Sequence, residues 1–246
     1  MEIFNSTVII TGGSSGIGFE ICKRLLQKGN TVITCSGSAE KLGEAKKQLP
    51  DLITYQCDLS QLAECEKFVK WTALNFPSVN VLINNAATAT RSDFISDAAI
   101  IEKLEKEIAV NFKAPVYLIK SLYPLMAKNN RALIVNITSG LVYVPTKKYT
   151  FYNATKSALH SFTQVLRLQL QQQNVKITEV LFPVVDTPWH NGKVPKGAIS
   201  AEDAVDEMLR GIKDDKAEIR ISKVKLLYFL NRIAPDFMFK KINSMS

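Results

Sequence analysis

Two tyrosines each stand four residues ahead of a lysine, Tyr143…Lys147 and Tyr152…Lys156. A free phenol ionises near pH 10, so little of the anion exists at neutral pH. Bringing it near 7 requires a preference for the anion of roughly 4 kcal/mol. A neighbouring ammonium and a second cationic group held close can supply that preference. A phenol so tuned gives a proton to a carbonyl oxygen as hydride arrives at carbon, or takes one in the reverse direction. The spacing alone is common by chance, and context separates the two copies. Pro145 interrupts the first and disfavours a helix there. The second opens YNATKSALHSFTQVLRLQL, which has neither glycine nor proline. On that helix residues i and i+4 share a face, so phenol and ammonium can meet.

A second chemical feature is Thr11-Gly12-Gly13-Ser14-Ser15-Gly16-Ile17-Gly18, between an apolar strand and an amphipathic helix. Glycines at that junction allow a tight turn and a close approach of backbone to a pyrophosphate. The free N–H groups of the helix start favour the anion. Gly12, Ser14, Ser15, Gly16, Ile17 and Gly18 are therefore candidate cofactor contacts, with spacing Gly-x3-Gly-x-Gly rather than GxGxxG. A cofactor with a free ribose 2′-hydroxyl usually meets an acid at the end of the second strand. Here the chain reads Cys35-Ser36-Gly37-Ser38, with no acid before Glu40. Without that carboxylate a 2′-phosphate is not repelled, and the serines and Lys41 can help hold it. The reading leans toward NADP, with NAD as the alternative, although the arginine often found in this turn is absent too.

These groups need a scaffold, and the periodicity provides one. Strands are expected at Thr7–Thr11, Thr31–Cys35, Leu52–Gln56, Asn80–Asn84, Ala132–Thr138, Lys176–Phe182 and, more weakly, Glu218–Ile221. Helices are expected at Ile17–Lys28, Ala39–Leu49 and Gln61–Phe76, with longer stretches over 98–128 and 151–173. Strands apolar throughout are buried on both faces, as in parallel sheets covered by helices. Strand–helix alternation with short links gives right-handed βαβ units. The expected fold is thus a single-domain α/β Rossmann-type doubly wound sheet of about seven parallel strands. Its ligands bind at the carboxyl ends of the strands, where strand order switches.

Composition narrows the function classes. No apolar run approaches a membrane span of about 18 residues, and MEIFNSTVII reads as a first buried strand rather than a secretory leader. Cys22, Cys35, Cys57 and Cys65 form no CxxC pair, which argues against a disulfide framework or a zinc site and for reduced thiols in a cytoplasmic setting. The net charge of +8 is uneven. A basic surface attracts anions, yet no nucleic-acid-binding motif accompanies it. No metal-ligand cluster and no GxSxG hydrolase elbow is present.

Taken together, these motifs resemble the short-chain dehydrogenase/reductase family over nearly the whole chain. TGGSSGIG at 11–18 is similar to the family's cofactor loop, and Asp58-Leu59 to its adenine-contacting acid and neighbour. Asn84-Asn85-Ala86-Ala87 resembles NNAG, with alanine for the last glycine. Asn111, Ser139, Tyr152 and Lys156 match the family's catalytic tetrad. EKLGEAKKQLP and NFPSVNVLINNA are similar to a bacterial DltE-like subgroup. The resemblance implies that Tyr152 is the general acid/base and Lys156 holds the nicotinamide ribose. It implies that Ser139 bonds the substrate oxygen, Asn111 helps hold a proton-relaying water, and Asn85 and Ala86 lie along the cofactor. Val185 and Thr187 would contact the nicotinamide carboxamide, although Pro183-Val184 replaces the family's usual Pro-Gly. It also implies a small carbonyl or alcohol substrate and a homodimer or homotetramer built on the long helices.

The two histidines differ. His160 reads as structural, and His190 as a candidate substrate contact in a mobile flap. Thr88–Phe94, Leu141–Thr150 and Trp189–Ile199 should shape the substrate pocket, with Tyr143, Tyr149, Phe151 and Trp189 as aromatic candidates. Residues 188–246 thus hold the flap and a basic, apolar C-terminal extension. Leu226, Leu227, Leu230 and Ile233 recur there at helical spacing. Ordinary packing, including a subunit interface, is favoured over closure on the substrate site or contact with an anionic membrane surface. A non-catalytic nucleotide-binding or regulatory protein on the same fold is the alternative function.

Overall fold

Seven strands, β1 (Thr7–Thr11), β2 (Thr31–Ser36), β3 (Ile53–Gln56), β4 (Val79–Asn84), β5 (Ala132–Ser139), β6 (Val175–Phe182) and β7 (Glu218–Arg220), form one sheet in the computed structural model. Every pairing is parallel, and the strand order is β3-β2-β1-β4-β5-β6-β7. The order reverses between β1 and β4, which makes that junction the switch point. The structure describes residues 2–190 and 192–244; Met1, Asn191 of the expected flap, Met245 and Ser246 lie outside it.

Side-chain alternation along the buried strands divides the core in two. Val8 and Ile10 face one side, with Ile21 and Leu25 of helix α1 (Gly16–Gln27) and Val205 and Met208 of α7 (Ala201–Lys213). Ile9 faces the other, with Phe68 of α3 (Leu62–Asn75) and Leu118 and Leu122 of α5 (Ala114–Met126). Both faces are covered, which is why the strands carry so few polar residues. α2 (Ala39–Gln48) links β2 to β3, and α6 (Thr150–Gln169) links β5 to β6.

The strands lie within one residue of their sequence-based bounds, whereas the helices depart more. The expected helix over 98–128 is α4 (Ile100–Ile108), a π-helical turn at Ala109–Lys113, and α5. Pro115 falls in the first turn of α5, where its missing N–H costs little. The helix expected over 151–173 stops at Gln169, because residues 170–174 turn to deliver Val175 to β6. Two helices were not assigned from sequence. One is α7, capped by Ser200, whose hydroxyl accepts the Asp203 N–H at 3.0 Å. The other is α9 (Pro235–Ser244), which follows α8 (Lys223–Ile233).

A candidate dinucleotide and catalytic site

The glycine loop leaves β1 at the switch point and turns into α1. Gly16 has φ +56°, a left-handed backbone that glycine adopts without strain. Gly18 is needed for proximity, since a Cβ there would stand 2.3 Å from the Gly12 carbonyl oxygen. Ser15 caps α1 without a side-chain hydrogen bond, so the amides of the first turn keep their pull on an anion. The loop is tied to the end of β4. Thr11 Oγ1 accepts the N–H groups of Asn85 and Ala86, each at 3.0 Å. The Asn85 amide donates to the Thr11 and Gly12 carbonyls at 2.9 and 3.2 Å. Ala87, where the family has glycine, is exposed and has no positive φ, so its methyl is accommodated.

The residues expected to meet the adenine end lie at the ends of β2 and β3. Ser36 Oγ accepts the Ser38 N–H at 3.4 Å, and Ser38 Oγ caps α2 by accepting the Lys41 N–H at 3.2 Å. Gly37 lies against Asp58, which a Cβ on Gly37 would meet at 3.7 Å. Asp58 is held through Oδ1 by the Ser60 N–H and hydroxyl at 2.9 and 2.8 Å, and Leu59 is buried beside it. This cradle of glycines, helix amides and serine hydroxyls suits a dinucleotide phosphate.

On the other side of the switch point, α6 is fixed to the sheet by a buried polar chain. The Asn84 amide donates to Asn136 at 2.8 Å, and the Asn136 amide to Thr163 at 2.9 Å. Ser139 closes β5, Tyr152 begins α6, and the two hydroxyls are hydrogen-bonded. Lys156 is 1% exposed and donates to the Ile137 carbonyl at 2.7 Å. Its ammonium lies 5.7 Å from the centre of the Tyr152 ring. Asn111 sits in the π-helical turn with its side chain fully engaged. Its amide donates to Thr88 O at 2.8 Å and Thr155 Oγ1 at 3.1 Å, and its oxygen accepts the Thr88 N–H at 2.8 Å. It thereby ties the irregular segment after β4 to α6.

Burial pushes the Tyr152 phenol up to about 12, against the smaller opposing effect of its bond to Ser139, and the charge of Glu107 adds to the rise. Burial likewise pulls Lys156 down to about 8, opposed by the charge of Glu179. The chain's own residues therefore do not bring the phenol toward 7, because the ammonium is turned to Ile137 and desolvation dominates.

A groove of about 920 Å³ runs from Ser14–Gly16 past Lys41 to Tyr149, Trp189 and His190. The Tyr149 ring lies 6.3 Å from that of Tyr152 and 5.8 Å from that of Trp189. Arg91 donates to the Tyr149 hydroxyl at 3.2 Å. Thr187 rests against Gly16, whose Cβ would meet it at 3.3 Å, and Val185 is buried and bridged to Ile199. His190 Nε2 lies 3.1 Å from the Val185 carbonyl.

Two aromatic candidates pack inward. Tyr143 accepts from Arg220 Nε at 2.9 Å and packs on His160 and Tyr228, while Phe151 is buried. Lys147 is exposed and far from pairing with Tyr143, its N–H going to Asn243 Oδ1 at 2.7 Å. Helix α8 packs on the segment after Ser139, since a Cβ on Gly140 would stand 3.0 Å from Val224. Leu226, Phe229 and Ile233 of that helix point to solvent. Sequence reasoning missed Glu179, Arg91 and Thr155; only Arg91 lay in a segment marked for the substrate pocket. Among the described residues no group of His, Cys, Asp or Glu could hold a metal ion, and no helix is long and apolar enough to cross a membrane.

A family model for short chain dehydrogenases matches residues 6–197. The chain is 40% identical to the uncharacterized oxidoreductase DltE of Bacillus subtilis (strain 168), over 99% of each. A short-chain dehydrogenase from Sphingobium yanoikuyae in complex with NADPH superposes with TM-score 0.79 at 25% identity, over 87% of each chain. A short chain dehydrogenase/reductase from Burkholderia phymatum in complex with NAD does so with TM-score 0.85 at 18% identity, over 96% of each.

Proposed function

This chain belongs to the short-chain dehydrogenase family and is an oxidoreductase, and on that premise we propose that it transfers hydride between NADP(H) and a carbonyl or alcohol carbon, with Tyr152 as general acid/base. The observation that carries the reading is the meeting of Tyr152, Ser139 and Lys156, with the Tyr152 ring 6.3 Å from that of Tyr149, which lines the groove that begins at the glycine loop. Gly12, Ser14–Gly18, Asp58, Asn85, Ala86, Val185 and Thr187 would hold the dinucleotide, which supplies or accepts the hydride when bound.

The chain's residues then divide the remaining work. Ser139 orients the substrate oxygen toward the phenol. Tyr152, raised by burial, carries the proton it would give to a carbonyl oxygen or, in the reverse direction, take back from the alcohol. Lys156 provides positive charge beside the phenol, and Asn111 braces the site's wall through Thr88. NADP is favoured over NAD because Ser36–Ser38 present no carboxylate and Lys41 lines the groove. Tyr149, Trp189 and Arg91 would form the outer substrate wall, suiting a largely apolar substrate. Exposed Ile101, Val165 and Leu168 on α4 and α6 support a homo-oligomer through those helices.

A fluorescence titration with NADPH, followed by NADPH oxidation across a carbonyl panel, tests this. Binding with turnover of one or more panel members is expected. Binding without any turnover would favour a nucleotide-binding role without catalysis. A higher kcat/KM with NADH than with NADPH would overturn the cofactor assignment.

A further inference from the structure

We propose that Arg91 makes the outer part of the groove a carboxylate-reading subsite, so that the carbonyl substrate has an apolar body and a carboxylate at its far end. The inference deepens the functional reading above and rests on it for the place of the reacting carbonyl.

The segment that carries Arg91 is irregular, yet it is fastened from behind. Thr88 exchanges hydrogen bonds with the Asn111 side chain through both its N–H and its carbonyl. Thr90 gives its N–H to Glu107 Oε1 at 2.7 Å and its hydroxyl to the same oxygen. Glu107 is 1% exposed and stands four residues before Asn111. One side of α4 and of the π-helical turn thus holds alternate residues of the segment. The residues between, Ala89 and Arg91, are left to line the groove. The guanidinium is fixed as well. Its carbon lies 5.7 Å from the centre of the Tyr149 ring, and its Nε donates to the Tyr149 hydroxyl at 3.2 Å. That ring is 6.3 Å from the ring of Tyr152.

With Nε engaged by Tyr149, the two Nη groups remain. They form the end-on fork that takes both oxygens of a carboxylate. Among the described residues no carboxylate pairs with Arg91. Asp93 is turned to the Ser96 hydroxyl and to the N–H groups of Ile95 and Ser96. Glu107 Oε2 has no hydrogen-bond partner among the described residues, so the guanidinium does not reach inward to it. Lys193 adds a second cation to the groove, three residues past His190. The one acid among the groove's lining residues, Glu44, stands on α2 with Lys41. An arginine already held against a ring and by one hydrogen bond loses little freedom on taking up a carboxylate. Tyr149 and Trp189, with rings 5.8 Å apart, would cover the apolar body.

The test uses two aldehydes of one shape, para-carboxybenzaldehyde and its methyl ester, each with NADPH. Wild type should favour the acid in kcat/KM by about tenfold or more, mostly through KM. Arg91→Met keeps the stem and loses the fork, and should abolish that preference; Arg91→Lys should keep part of it. Equal kcat/KM for acid and ester in wild type, or an unaltered preference in Arg91→Met, would overturn the proposal. A matching loss of NADPH affinity in Arg91→Met would assign the guanidinium to a cofactor phosphate and would overturn it too. A second readout needs no turnover. Terephthalate, titrated by calorimetry into the protein saturated with NADP, should bind wild type about tenfold more tightly than Arg91→Met. Equal affinities there would overturn the proposal. Should wild type bind terephthalate in this Arg91-dependent way and reduce no carbonyl, the hydride-transfer reading would fall and the subsite would stand. Should it reduce the ester as readily as the acid, the subsite would fall and hydride transfer would stand.

Discussion

Residues 143–147 and 152–156 carry the same Tyr-x3-Lys pattern and end in opposite circumstances. In the second, a helix holds the two side chains on one face, and the phenol is bonded to Ser139. In the first, Pro145 keeps the chain irregular, Lys147 is exposed, and Tyr143 is bound to Arg220 instead. Both phenols are pushed up to about 12, in each case chiefly by burial. Ease of ionisation in the protein alone therefore does not tell them apart. What differs is the company each keeps: a hydroxyl at the end of β5 and a buried ammonium in one case, a guanidinium and two aromatic rings in the other.

Substitutions can break or sharpen this contrast. Tyr152→Phe should lower turnover by about 10³-fold or more while leaving NADPH affinity within about threefold, as rates and fluorescence titration would reveal. Ser139→Ala should lower kcat by about 10²-fold, the effect of losing one oriented hydroxyl at the reacting oxygen. Asn111→Ala should cost about 2–3 kcal/mol of stability in urea unfolding, because partly buried backbone groups of Thr88 and the buried Thr155 hydroxyl lose their partner. Tyr143→Phe should cost about 1 kcal/mol through loss of the Arg220 bond and leave kcat within about twofold. If Tyr143→Phe abolished turnover and Tyr152→Phe did not, the roles assigned to the two segments would have to be exchanged.

Much of this was readable before any coordinates. The strands are legible because burial on both faces leaves continuous Val/Ile runs, and the glycine loop because few other residues tolerate its backbone. The break at Asn111 was hidden, since an α-helical and a π-helical turn share the same apolar spacing over so short a stretch. α7 carried readable signals, Ser200 three residues before Asp203 and then Ala204, Val205, Met208 and Ile212. Glu179 was masked for a different reason. It sits in an apolar strand, and its partners come from β5 and α6, so only cross-strand register reveals them. For Tyr143 and Phe151 the sequence leaves two readings open, a place in the substrate wall or inward packing; Tyr143 packs on His160 and Tyr228, and Phe151 is buried in the first turn of α6.

The π-helical turn at Ala109–Lys113 also fixes a matter of phase. One surplus residue there lets α4 and α5 each keep its own apolar stripe against its neighbours while Asn111 points inward between them. Excising a single residue from this turn would restore regular winding, leave the flanking stripes in phase and take away the inward place that Asn111 occupies. A deletion of that size, harmless in most surface loops, would here dismantle the wall beside the tyrosine.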